Sequence, residues 1–379
     1  MLVMGKREAE AAYKAIMSGQ LSRYRGGEGG YTDRFEGALC RKMKVRHATT
    51  VNSGTSALIA ALVGLGIGPG DEVIVPAYTW IATAIAPLAV GAVPIIADID
   101  ETLTINPKDI ERKITRYTKA IIPVHMNDLV CNMNAIMRIA KKHKLHVLED
   151  ACQAVGLTYK GRRVGTIGHA GVFSFNHFKN ISCGEGGAFM TNDRRVFERA
   201  LIYHDVGCYT REHAGSVKVP FFPGVNFRVS EIQGAVLCEQ LKQIDGILKK
   251  FITRRKALAE ILKGSDSFRV SPHNDEKNAV HLTLLFPAVK DAALFSKQNK
   301  ASRPIDSGRH VYTNWEPIIK QNIFHPKMNP YKWAHRTIRY TKNMCAASLD
   351  ILSRTCHVSF AYNKPLGDLR KRAHKLMQG

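Results

Sequence analysis

Three short stretches carry residue types that could do chemistry together. The first is NSGTSAL at 52–58, where a strand runs into Gly54 and a helix starts at Thr55 or Ser56. A helix N-terminus presents unpaired amides and a partial positive charge, and the hydroxyls of Ser53, Thr55 and Ser56 add donors, so a phosphate fits there. The same residues also fit a plain N-cap. The second, VLEDACQA at 147–154, ends a strand in Glu149 and Asp150. An aspartate in that position can keep a heteroaromatic nitrogen protonated, and it also fits the cap of a following helix. The third, FSFNHFKNISCGEGG at 173–187, sets Lys179 between aromatics and a loop of three glycines. An exposed loop lysine needs no such surroundings. A lysine that is partly desolvated and close to other cations becomes a neutral amine able to form a Schiff base.

Taken in chain order, a phosphate loop, a strand-end aspartate and a lysine match the three handles of one cofactor. Pyridoxal 5′-phosphate has a phosphate, a pyridine nitrogen and an aldehyde. Other glycine clusters do not compete. GLGIGPGDE at 64–72 follows a helix and precedes a strand, the reverse of a dinucleotide fingerprint, and there is no Walker motif.

These residues need a scaffold that brings strand ends together. From residue 47 strands and helices alternate, through HATTVNSG, TSALIAALVGLG, NPKDIERKI, TKAIIPVH, MNAIMRIAKKHK, LHVLEDA, AGVFSFN and GAFMTND. That rhythm predicts a mostly parallel sheet with helices on both faces, and ligands of such sheets gather at the carboxyl ends of the strands. The polar residues fall there: Ser53, Tyr78, Trp80, His125, Asp150, Ser174 and Lys179. Residues 73–97 carry no charge, but Pro76, Pro87, Gly91 and Pro94 divide them into a strand, a helix over 80–90 and a second strand rather than a membrane span. The N-terminus reads as a short amphipathic helix, followed over 22–37 by a glycine-rich loop expected to cover a site or a neighbouring subunit. A long helix begins near residue 231, and beyond about 240 the elements shorten.

Composition bounds the remainder. The 379 residues suffice for two domains, and a net charge of +23 favours acidic or phosphorylated partners. The basic residues are scattered, which points to solvated faces rather than a nucleic-acid surface. Eight dispersed cysteines without a Cys-x-x-Cys pair, and an N-terminus without a signal-like apolar core, predict reduced thiols and a cytoplasmic location, with no membrane partner.

Six ordered motifs resemble the DegT/StrS family of sugar aminotransferases, of the aspartate-aminotransferase fold type. They are NSGTSAL (52–58), GDEVIVPAYTWIAT (70–83), IIPVH (121–125), LEDACQA (148–154), FSFNHFKNISCGEGG (173–187) with MTND (190–193), and VNFRVSEIQGA (225–235). The resemblance runs from about residue 20 to 240 and continues less closely to the C-terminus. It implies an α/β architecture of fold type I for pyridoxal-phosphate-dependent transferases. A large cofactor-binding domain with an N-terminal arm would span 1–240, and a smaller α+β domain 241–379.

The resemblance further implies an aminotransferase that uses pyridoxal 5′-phosphate. Glutamate or glutamine would supply the amine, and the acceptor would be a keto-sugar: a sugar nucleotide, a keto-sugar acid or a cyclitol ketone. Lys179 would form the Schiff base and shuttle the proton. Asp150 would pair with the pyridine nitrogen, Gln153 with the phenolic oxygen, and Trp80 would stack on the ring. Gly54, Thr55 and Ser174 would hold the phosphate. Asn226 would reach the phosphate of the partner subunit, making the molecule a homodimer with shared active sites. Some relatives carry histidine at the lysine position and catalyse dehydration. Here the lysine is present and His177 lies two residues earlier, which favours transamination. A sugar dehydratase or other lyase on the same scaffold, and a basic binding protein without catalysis, are the rival readings.

Two stretches depart from the family. Its PVH is commonly followed by a tyrosine–glycine turn and a proline, whereas this chain reads PVHMNDLVCNM, which leaves contacts around 126–128 undefined. In HVYTNWEPII at 310–319, His310, Tyr312 and Trp315 fit either substrate contacts or packing. SRT at 353–355, with VHM and LEDACQA, resembles less closely the branch that aminates an eight-carbon keto-sugar acid, a keto-octulosonate.

Overall fold

The computed structural model describes residues 4–24, 29–360 and 364–377. Its strands are short and alternate with helices from residue 47 to 150, as the sequence rhythm predicts. In chain order, α1 is Lys6–Met17, α2 Tyr31–Met43, β1 His47–Val51, α3 Gly54–Gly64, β2 Glu72–Pro76, α4 Ala82–Ala89 and β3 Val93–Ala97. Then come α5 Pro107–Lys113, β4 Thr118–Ile121, α6 Met133–His143, β5 His146–Asp150, the small hairpin β6 Thr158–Tyr159 and β7 Arg162–Arg163, β8 Ala170–Ser174 and β9 Gly187–Thr191. Helices α7 Arg194–His204 and α8 Glu231–Leu262 follow, then β10 Arg269–Val270, β11 Thr283–Leu285, α9 Val289–Asn299 and β12 Thr355–His357.

Seven strands form the main sheet in the order β1-β9-β8-β5-β4-β2-β3. Strands β2 and β3 are buried at every position, the continuous apolar signature of a sheet covered on both faces. Within this sheet β9 alone runs antiparallel to both neighbours. The return through residues 175–186 holds no helix to make a crossover, and β9 comes back antiparallel beside β8. That return is the loop bearing Lys179.

One face of the sheet packs on α2, α6 and α8, through Phe35, Leu39, Ile136 and Leu237 among others. The other packs on α3, α4 and α7 and on the later segment carrying Val311, Tyr312, Trp315 and Leu352. A third core joins the end of α8 (Leu258, Leu262) to the three-stranded sheet β10-β11-β12 and to the helix Leu366–Met377. The chain beyond residue 240 therefore contributes to all three cores. Helix α8 runs through that position without a break, its start fixed by a capping box between Ser230 and Gln233.

One expected loop is a helix. Over 31–37 the sequence reading extended the glycine-rich loop, yet Tyr31 opens α2. Thr32, Phe35, Leu39 and Met43 recur at helical spacing and are buried. Residues 25–28 of that loop lie outside the described residues. No helix among the described residues is long and apolar enough to cross a membrane. All eight cysteines are free thiols.

Candidate active site

At the carboxyl ends of the parallel strands lies a cleft of about 520 Å³. Its floor begins at helix α3. Ser53 is extended and caps the helix, its Oγ accepting from the Ser56 amide at 3.0 Å. The amides of Gly54 and Thr55 precede the first intrahelical bond, from Ala57 to Ser53, so they are available to an anion. Gly54 is needed for space. A Cβ there would come within 2.8 Å of Cys152 Sγ and 2.9 Å of Ser174 Cβ. Ser174, the last residue of β8, lines the same end.

Asp150 closes β5 and is 4% exposed. Its main chain is pinned by hydrogen bonds to Pro123 and from His125, at 2.9 and 3.0 Å. Oδ2 accepts from Thr83 Oγ1 at 2.8 Å and Oδ1 from the Cys152 amide at 3.1 Å. An ionised carboxylate has about four lone-pair sites, so capacity remains for a ring N–H in the cleft. Gln153 accepts from the Asn127 amide through Oε1 at 3.1 Å, which leaves its side-chain amide free to donate. Lys179 is half-buried in a turn whose amide bonds back to Asn176 O at 3.1 Å. Trp80, 41% exposed, forms part of the rim.

Lys179, Gly54, Thr55, Trp80, Asp150, Gln153 and Ser174 thus line one cleft. Asn226 does not. It is exposed, its Oδ1 accepting from the Arg228 amide at 3.1 Å. The arrangement fits pyridoxal phosphate by its donor set. A helix N-terminus and a serine stand around a space that any side chain at 54 would fill. A buried carboxylate with spare acceptor capacity and an amine line the same cleft.

The histidines and aromatics sort cleanly. His125 is buried outside the cleft, bonded to Glu149 Oε2 at 3.1 Å and accepting from the Cys131 amide. Glu149 also takes the amides of Gly165, Ile167 and Gly168, so the Glu-Asp pair divides into a structural and a site carboxylate. His177 is exposed and outside the cleft lining. Tyr312 and Trp315 are fully buried in the sheet core. His310 lines the cleft, its ring centroid 5.7 Å from that of Trp80. Burial, with the charges of Arg309 and Lys179, pushes its pKa down to about 4.

Sequence reasoning passed over Thr83, Asn127, Asp128, Asn180 and Arg309. The signal for two of them was the departure after PVH, where Asn127 and Asp128 stand. Thr83 and Asn180 sit inside quoted motifs. Arg309 reaches the site because the backbone of Val311 bridges to Tyr78.

The chain matches the DegT/DnrJ/EryC1/StrS aminotransferase family over residues 3–351. It is 40% identical over 255 residues to GDP-perosamine synthase of Escherichia coli O157:H7, covering 67% of this chain and 68% of that one. It is 37% identical over 297 residues to the spore coat polysaccharide biosynthesis protein SpsC of Bacillus subtilis strain 168, covering 75% and 74%. Among solved structures, 3-amino-5-hydroxybenzoic acid synthase superposes with a TM-score of 0.81 over 99% of this chain and 96% of that one. At 24% identity, that match establishes the shared fold.

Proposed function

Because the chain belongs to the DegT/DnrJ/EryC1/StrS aminotransferase family, and is thus a pyridoxal-phosphate-dependent sugar aminotransferase, we propose that its acceptor is a ketone on a nucleoside-diphosphate-linked sugar. Glutamate or glutamine is the donor in this reading. The observation that carries the chemistry is the convergence of Lys179, Asp150 and the N-terminus of α3 on one cleft. Bound there, pyridoxal phosphate supplies an aldehyde that condenses with amines and a ring that withdraws electrons from the carbon attached to them.

The chain's own groups do the rest. Lys179 Nζ removes the proton from the donor's α-carbon and returns one to the acceptor carbon. Asp150 accepts a ring N–H and holds its proton in place. Gly54, Thr55 and Ser174 hold the phosphate, Gln153 donates to the phenolic oxygen, and Trp80 covers the ring. In this reading Asn226, exposed and outside the lining of its own cleft, serves a second copy of the chain in a homodimer.

The acceptor class is supported by the relative named GDP-perosamine synthase, an enzyme named for an amino sugar carried on a nucleoside diphosphate. It is also supported by Arg309, a cation at the cleft beside Trp80, and by the net charge of +23, which draws in polyanions. The test is incubation with glutamate and a GDP-linked keto-deoxysugar. An amine on the recovered sugar nucleotide is expected. Loss of water from the sugar without amine contradicts transamination, and amination of the free sugar in preference to the GDP-linked one contradicts the acceptor class.

A further inference from the structure

The tightest backbone feature of the cleft lies where the sequence departs from its family. Asn127 and Asp128 are consecutive residues with φ of +49° and +62°. Left-handed backbone is sparsely populated by side-chain-bearing residues, with Asn and Asp the most tolerant, and it persists where surrounding contacts over-determine it. Those contacts come from three directions. Gln153 receives both amides of the bend, Asn127 N–H at its Oε1 and Asp128 N–H at its carbonyl, at 3.1 and 3.2 Å. The Asn127 side chain is held by Tyr78 Oη at 3.0 Å and His357 Nε2 at 3.3 Å. His357 is tied in turn to His281 at 2.9 Å. Asn180, the residue after Lys179, donates to Asp128 Oδ1 at 3.0 Å.

The clamps therefore fix one carboxyl against the segment that carries the lysine. Burial pushes the Asp128 carboxyl up to about 6, while the Asn180 hydrogen bond and the charge of Lys179 pull the other way. Among the other ionisable groups of the cleft, Asp150 takes Thr83 Oγ1 and the Cys152 amide, Glu185 is exposed, and burial keeps His310 and the Cys152 thiol uncharged at neutral pH. Arg309 is exposed at the rim.

We propose that Asp128 is a positioning residue for Lys179: a carboxylate built into a left-handed bend so that its charge favours the protonated form of the link between that lysine and the cofactor. This rests on the reading of Lys179 as the Schiff-base lysine. It gives the departure from the tyrosine–glycine turn a chemical role. A glycine at 128 would permit the bend but bring no charge.

The experiment is a pH titration of the visible absorption of the cofactor-loaded protein, comparing wild type with Asp128→Asn. Asparagine keeps the left-handed preference and an oxygen for Asn180, so the bend survives while the charge goes. An opposite charge at close range moves a titration by about 1–3 units. The protonated, yellow form in Asp128→Asn should therefore give way at least about one pH unit lower than in wild type. A midpoint that stays in place overturns the proposal. No visible band in the wild type would overturn the Lys179 reading itself, a result distinct from two bands with equal midpoints. If Asp128→Asn does not take up the cofactor, Asn180→Ala serves. It releases the carboxyl from its fixed place and should move the midpoint the same way by a smaller step, and an unmoved midpoint there also overturns the proposal.

Discussion

Replacing Gly187 by alanine probes the cradle without touching any group that does chemistry. Gly187 opens β9 and pairs with Val51 and Ser174 across the ladder. A Cβ at this position would lie 2.4 Å from Ser53 O, 2.5 Å from Ser53 C and 2.8 Å from Gly54 N. Carbon needs roughly 3.5 Å from a non-bonded neighbour, so the backbone of residues 53–54 or the start of β9 must move by about 1 Å. No flexible side chain can absorb the clash, because the atoms met are main chain. Overpacking of this kind costs about 1–3 kcal/mol. The larger effect falls on the site, since a misplacement of about 1 Å can cost on the order of 100-fold in rate. Urea unfolding of the apoprotein, cofactor titration followed by the visible band, and turnover measure the two effects. Gly215→Ala is the control, because a Cβ there meets nothing within 4 Å. The reasoning is refuted if Gly187→Ala matches wild type in cofactor affinity and turnover.

Other outcomes follow from single residues. Gly246 is exposed inside α8 with open space around it, so Gly246→Ala should raise stability by about 0.5–1 kcal/mol in urea unfolding with turnover unchanged. Glu149→Ala strands three backbone amides and His125 in the sheet interior, and a loss of about 3–5 kcal/mol is expected in the same assay. Acid should weaken the fold through the histidines. His281 is held down to about 4 and His357 well below its ordinary value, both chiefly by burial. The unfolded chain, with histidine near 6.5, binds these protons first, so stability is present above about 6.5 and falls as the pH drops toward 4. The urea midpoint should decline over that window, and His281→Asn should flatten the decline.

Much of this was legible in the residues. The alternation of apolar strands and amphipathic helices was enough for the sheet, because each element buries its own face and so writes its period locally. The six motifs pointed to Gly54, Asp150 and Ser174, at a helix start or strand end where sequence and position are tightly coupled, and to Lys179 in the loop after β8, and all four line the cleft. What stayed hidden depends on distant parts of the chain. Asn127 and Asp128 adopt a left-handed bend because Gln153, Tyr78, His357 and Asn180 hold it, and no local pattern announces four such clamps. Arg309 and His310 enter the cleft through a bridge to a residue more than two hundred positions earlier. The division of Glu149 from Asp150 was invisible because strand alternation points adjacent side chains to opposite faces, and the chemistry of each face is tertiary. Tyr31 opened a helix rather than continuing a loop because the glycines before it masked the spacing of Phe35, Leu39 and Met43. Asn226 lies outside the lining of its own cleft, and the role proposed for it rests on a second copy of the chain.

The central claim is that Lys179 is the amine that joins the cofactor. Borohydride reduction of the cofactor-loaded protein, followed by proteolysis and mass mapping, tests it directly. The account predicts a phosphopyridoxyl label on Lys179 alone. A label on a different lysine, or a yellow protein that reduces without labelling Lys179, would contradict it.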